Sequence, residues 1–104
     1  MNDFPETSEQ PELLEAEWDH AQVDALFDDL QQGAKIHHVQ VRKTAQGRPQ
    51  DCQTTLDEAR TLLHLGAAKA IQIRYTFDDQ NWCDTLMVLP QSIRIIRTRG
   101  IANA

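Results

Sequence analysis

"KAIQIRYTFDDQNWCDTLMVLPQSIRIIRTR", residues 69–99, holds three apolar runs separated by two turn-like breaks, and its reading decides the architecture. In the first run Ile71, Ile73, Tyr75 and Phe77 alternate with Gln72, Arg74 and Thr76, the period of a half-buried strand. Asp78, Asp79, Gln80 and Asn81 form a turn by composition, so this strand continues into a second, over 82–89, as a hairpin. Pro90 and Gln91 supply another tight connection, and "SIRIIRTR" reads as the last strand.

Towards the N-terminus, Thr55 and Glu58 have the spacing of a capping box, and Leu56, Ala59, Leu62 and Leu63 form an apolar stripe that Gly66 ends. This predicts a helix. The preceding "AQGRPQDCQ" (45–53) contains Gly47 and Pro49 and reads as a loop. From 34 to about 44 the pattern alternates again, with Val39 and Val41 on one side and His38, Gln40 and Arg42 on the other. Another helix is predicted over 20–32: Asp19 is its N-cap with Gln22 completing the box, and Trp18 is placed to staple onto Val23. Val23, Leu26, Phe27 and Leu30 mark its buried face, Asp24, Asp28 and Asp29 lie elsewhere, and Gly33 stops it. Pro11 suits the start of a short helical turn through 18.

The expected fold is therefore α+β, a two-layer sandwich in the order α-β-α-β-β-β. Its four-stranded, mostly antiparallel sheet carries both helices on one face, and the first strand, second helix and second strand form a right-handed crossover. The expected division is an acidic, flexible N-terminal segment over 1–18, a single α/β domain over 19–100 and a short tail over 101–104.

Apolar residues make up 40% of the 104 and charged residues 25%, which suits one globular domain. The net charge of −6 hides an asymmetry: residues 1–34 carry ten carboxylates and no Lys or Arg, whereas 35–104 carry ten Lys or Arg against six carboxylates. No run approaches a membrane span and the first ten residues lack the regions of a signal peptide, so the expected location is the cytoplasm and no membrane partner is expected. Cys52 and Cys83 are expected to be reduced and structural.

Several constellations could carry chemistry. His37 and His38 are adjacent, and in a regular strand they would point to opposite faces, which prevents chelation of one metal. His20 and His64 have no ligand-like partner in sequence. Cys83 with His38 is a conceivable nucleophile and base if their strands are close. Asp78, Asp79 and Asp84 lack the spacing of a calcium loop. No catalytic residue, metal site or cofactor is therefore assigned.

The outward face of the sheet is the more informative surface. Alternation collects His38, Gln40, Arg42, Gln72, Arg74 and Thr76 there, with Arg94 or Arg97 and Arg99 joining according to the register of the last strand. The third strand is apolar at both parities, Trp82, Leu86 and Val88 against Cys83, Met87 and Leu89, so one set would lie on the uncovered face. The expectation is a non-enzymatic interaction or accessory module that binds a protein through this face and through the acidic helix with Asp24, Asp28 and Asp29. That partner is another protein or a second copy of the chain. The alternative is RNA or single-stranded nucleic acid on the arginine-bearing sheet, against which Tyr75 and Phe77 point into the core rather than forming a stacking platform.

Overall fold

The computed structural model describes residues 13–99; the expected tail over 101–104 and the first twelve residues of the expected flexible segment over 1–18 lie outside them, while 13–18 of that segment is a strand. The chain runs β1 (Leu13–Trp18), α1 (His20–Gly33), β2 (Lys35–Ala45), β3 (Arg48–Gln53), α2 (Leu56–His64), β4 (Ala70–Phe77), β5 (Gln80–Val88) and β6 (Ile93–Arg99). The strands form one sheet of six in the order β1-β6-β5-β4-β2-β3. Every neighbouring pair is antiparallel.

This overturns the four-stranded sheet and the α-β-α-β-β-β order, because two segments expected to be other things are strands. Residues 13–18 are not a helical turn. Leu14, Ala16 and Trp18 sit opposite Arg97, Ile95 and Ile93 of β6, while Glu15 and Glu17 alternate with them. Pairing along β6 lets the apolar half of this short segment join the core and leaves its acids outside, which an isolated helical turn would not. Residues 48–53 are not a loop either. Gln46 and Gly47 both have positive φ, 54° and 76°, the geometry of a two-residue hairpin turn that folds β3 back along β2. Asp78 and Asp79, with φ of 53° and 63°, make the equivalent turn between β4 and β5.

The extra hairpin also removes the expected crossover between β2 and β4. These strands are antiparallel neighbours, since β3 has already reversed the chain before α2 begins. The parallel relations that remain, β1 with β2 and β3 with β4, are bridged by α1 and α2 over intervening strands.

Both helices bury their stripes against the same side of the sheet. Val23, Leu26, Phe27 and Leu30 of α1 and Leu56, Ala59 and Leu63 of α2 form one core with Val39, Val41, Ile71, Ile73, Tyr75, Trp82, Leu86, Ile93 and Ile95. At the end of α2, Gly66 takes φ 73° while Ala67 donates to the Leu62 carbonyl and Gly66 to that of Leu63, closing the last turn. The start of α1 is a full capping box: the Gln22 amide donates to Asp19 Oδ1 at 2.8 Å, and the Asp19 amide donates to Gln22 Oε1 at 3.0 Å. Asp19→Ala should therefore lower unfolding free energy by about 1 kcal/mol in urea titration, whereas Asp29→Ala on the same helix should stay within about 0.5 kcal/mol of wild type. No helix among the described residues is long and apolar enough to cross a membrane.

Candidate functional site

The opposite side of the sheet is covered by no described element. Strand pairing arranges its side chains in rows across the strands: Glu17, Arg94, Met87, Ala70, Arg42 and Asp51 form one row. Glu15, Ile96, Thr85, Gln72, Gln40 and Gln53 form the next, and Thr98, Cys83, Arg74 and His38 the third. His38, Gln40, Arg42, Gln72, Arg74, Thr76 and Arg94 are thus brought together on one face.

Arg97 and Arg99 do not belong with them. The register of β6 points both towards the helices, opposite Asp84 and Trp82. Arg97 Nε donates to Asp84 Oδ1 and its Nη2 to Oδ2, both at 2.9 Å, and neither side chain is exposed. Tyr75 donates its hydroxyl to Asp84 Oδ2 at 3.0 Å. Burial pushes the Asp84 carboxyl up, and the Arg97 guanidinium and Tyr75 hydroxyl oppose it. Because arginine stays charged, protonating Asp84 would leave a buried cation uncompensated, so the two are held as an ion pair. Burial first, then the Asp84 charge, drives the Tyr75 phenol upward. Arg97 is therefore a core residue rather than a partner-binding one, and Arg99 lies over the Trp82 ring at 5.8 Å from its centroid.

The acids of α1 also have a use within the chain. Arg60 of α2 donates from Nη1 to Asp28 Oδ1 at 2.8 Å and from Nε to Asp24 Oδ1 at 3.3 Å, and His64 Nε2 lies 2.7 Å from the same Asp24 oxygen. Desolvation raises the Asp24 pKa, but the hydrogen bond and charge of His64, with those of Arg60, outweigh it and hold the carboxyl below its ordinary value. Asp24 and Asp28 clamp the two helices, although Asp28 stays exposed, and Asp29, also exposed, takes no part in the clamp. They do not meet the arginines of the sheet.

On the open face the charges divide unevenly. Arg42 pairs with Asp51 at 2.9 Å and Arg94 with Glu15 at 4.0 Å, so the acids of the two edge strands neutralise the flanking arginines. Arg74, exposed in the middle of the sheet, has no carboxylate within 4.0 Å among the described residues.

The bulge in β2 changes the histidine geometry. Ile36 is opposite Tyr75 and His38 opposite Arg74, so the register shifts between them and His37 is the extra residue on β2. His37 consequently reaches the open face, where its Nε2 lies 2.7 Å from Thr76 Oγ1, and Thr76 donates to Asn81 Oδ1 at 2.6 Å. The expectation of opposite faces fails because it assumed an unbroken strand. His38 Nε2 donates to Gln40 Oε1 at 3.3 Å.

Cys83 and His38 are not adjacent, since β4 and Arg74 lie between them, an inter-strand separation of about 10 Å. Burial pushes the Cys83 thiol up despite the nearby Arg74. A protonated thiol without a base at hand is a poor nucleophile. Asp84 is in the core, apart from the turn acids Asp78 and Asp79, and among the described residues no group of three or more His, Cys, Asp or Glu is placed to hold a metal ion.

Comparison with known proteins yields no match: no family model, no curated protein and no solved structure shows significant similarity to the chain.

Proposed function

We propose that this chain is a non-enzymatic protein-interaction module whose docking surface is the open face of the six-stranded sheet. The observation that carries the reading is the composition of that face. A sheet sealed by helices on one side presents on the other Met87, 41% exposed, beside Ile96, Thr85 and the uncharged row of Gln72, Gln40 and Gln53. Apolar positions flanked by polar ones are the usual anatomy of a protein interface, in which arginine is also enriched. The α1 acids contribute less than their number suggests, because Asp24 and Asp28 already serve Arg60.

Nucleic acid fits this face less well. Binding to a single strand draws on several free cations and on aromatic rings. Here Arg42 and Arg94 have intramolecular partners, while Tyr75, Trp82 and Phe77 pack with the core. A cytoplasmic location is part of the proposal, supported by Cys52 and Cys83 being free cysteines on opposite faces of the sheet.

Met87→Glu tests the reading, because it places a charge on the most exposed large apolar residue of the face without touching the core. The tagged wild type should retain a partner in stoichiometric amount from its native cell extract, and the variant should retain at least tenfold less while unfolding at the same urea concentration. If the wild type retains nothing, or the variant retains as much, the sheet face is not the docking surface.

A further inference from the structure

We propose that Arg74 anchors a carboxylate on an extended, acidic segment of a partner protein, with Met87 receiving an apolar side chain of that segment four residues away. The inference rests on the sheet face being the docking surface. Charge complementarity points to the carboxylate. Every other arginine on this face is already matched by an acid of an edge strand, Arg42 by Asp51 and Arg94 by Glu15. Arg74 is left as an exposed guanidinium at the centre, where its planar fork suits bidentate contact with a carboxylate.

The surroundings are polar. Cys83 and His38 flank Arg74 across the neighbouring strands, Gln72 and Thr76 lie two residues away on β4, and the bulge brings His37 to Thr76. No carboxylate belongs to this group, so an incoming acid meets no like charge there.

The spacing follows from the register. Arg74 is opposite Cys83 and Met87 opposite Ala70, so the two residues lie on adjacent strands and four positions apart along the sheet. That is about 14 Å, the reach of four residues of extended chain, and residues four apart in such a chain point the same way. A segment with an acidic residue and a large apolar residue at this separation therefore satisfies both positions at once. A second copy is the poorer occupant. Its acidic helix layer docking on this face would make a head-to-tail contact, not the self-complementary contact of a twofold dimer, and its Asp24 and Asp28 are already engaged.

The test is an NMR titration of the full-length 15N-labelled protein with the blocked peptide Glu-Thr-Thr-Thr-Leu, beside the same peptide with Gln in place of Glu. Amide shifts centred on Arg74, Cys83 and Met87 are expected, with affinity at least tenfold weaker for the Gln peptide and for Arg74→Gln. No shifts at millimolar peptide, or equal affinity in Arg74→Gln, overturns the proposal. So does stronger binding of a single-stranded oligothymidylate at the same residues in physiological salt, or a concentration-dependent shift of those residues without peptide, which would identify nucleic acid or a second copy as the occupant. Partner capture separates the two levels: if Met87→Glu abolishes capture and Arg74→Gln leaves it intact, the docking face stands and the carboxylate anchor falls.

Discussion

Replacing Asp84 with alanine is expected to destabilise the fold by about 3–5 kcal/mol, measured as a fall in the urea midpoint with the slope unchanged. The size comes from what is left behind rather than from the bond removed. Arg97 keeps its charge at any accessible pH, and its side chain is wholly buried with two of its donors spent on Asp84 at 2.9 Å. Alanine would strand that guanidinium in the core and would also take the acceptor of the Tyr75 hydroxyl. Since domains of this size have total stabilities of about 5–15 kcal/mol, a loss at the upper end would leave much of the population unfolded at room temperature.

The companion variant decides the interpretation. Asp84→Leu, Arg97→Met and Tyr75→Phe together remove the whole polar group, and the triple variant should recover to within about 2 kcal/mol of wild type or exceed it. What the triple variant should lose is register. Asp84 and Arg97 are directly opposed, so slipping β6 by one residue would carry Arg97 to the open face and break the bidentate pair. Broadened or doubled amide signals along β5 and β6 in the triple variant are the expected sign of that loss. Sharp single signals throughout would mean that the apolar rows alone hold the strands in register.

The same pair shows how much of the architecture was legible. Asp84 lies at the parity of Trp82 and Leu86, and Arg97 at that of Ile93 and Ile95, but the third strand is apolar at both parities and the last strand has Ile96 beside Arg94, so the runs alone leave both orientations open. Nor does the sequence display that the two face one another, because opposition across strands depends on register. The meander over 69–99 was readable since its alternation is strong and its turns are short. Strand β1 also alternates, with Leu14, Ala16 and Trp18 against Glu15 and Glu17, but six residues beside Pro11 are easily assigned to a helical turn. Strand β3 carries almost no apolar signal. It is an edge strand, five of whose six residues are exposed, so the Gln46-Gly47 turn was the only local cue.

The candidate surface was legible in the same partial way. The set from β2 and β4 followed from parity alone. The bulge at His37 left a trace, because the inward positions Ile36 and Val39 are three apart where an unbroken strand requires two or four. The pairing of Asp24 and Asp28 with Arg60 left none, since it joins residues on separate helices whose relative placement only the tertiary fold supplies. Consequently, the asymmetry of charge along the sequence overstates the asymmetry of the surface: acids of the first third pair with Arg60 and Arg94, while Arg74 on the open face has no carboxylate within 4.0 Å among the described residues.

Phe27→Ala is the second large effect expected, a loss of about 3–5 kcal/mol in the same unfolding measurement. Phe27 is 1% exposed and sits in the stripe with which α1 closes the core, among Val23, Leu26 and Leu30. Removing the ring takes away its transfer free energy and leaves a cavity that a helix pinned at both ends cannot easily fill. Asp19 caps the start of α1, and Ala34 donates to the Leu30 carbonyl at its end. The ring has a second role, because the Arg60 guanidinium lies over it at 5.8 Å while bonding Asp24 and Asp28. A guanidinium over an aromatic face adds about 0.5–1 kcal/mol in a partly exposed setting. Arg60→Ala alone should therefore cost about 1–2 kcal/mol, from ion pairs that are largely solvated and from that stacking. The double variant should be less destabilised than the two losses combined by about 0.5–1 kcal/mol, the coupling due to the shared contact. Strict additivity would show that the clamp between the helices draws nothing from the ring beneath it, and that α1 is held to the sheet by its apolar stripe alone.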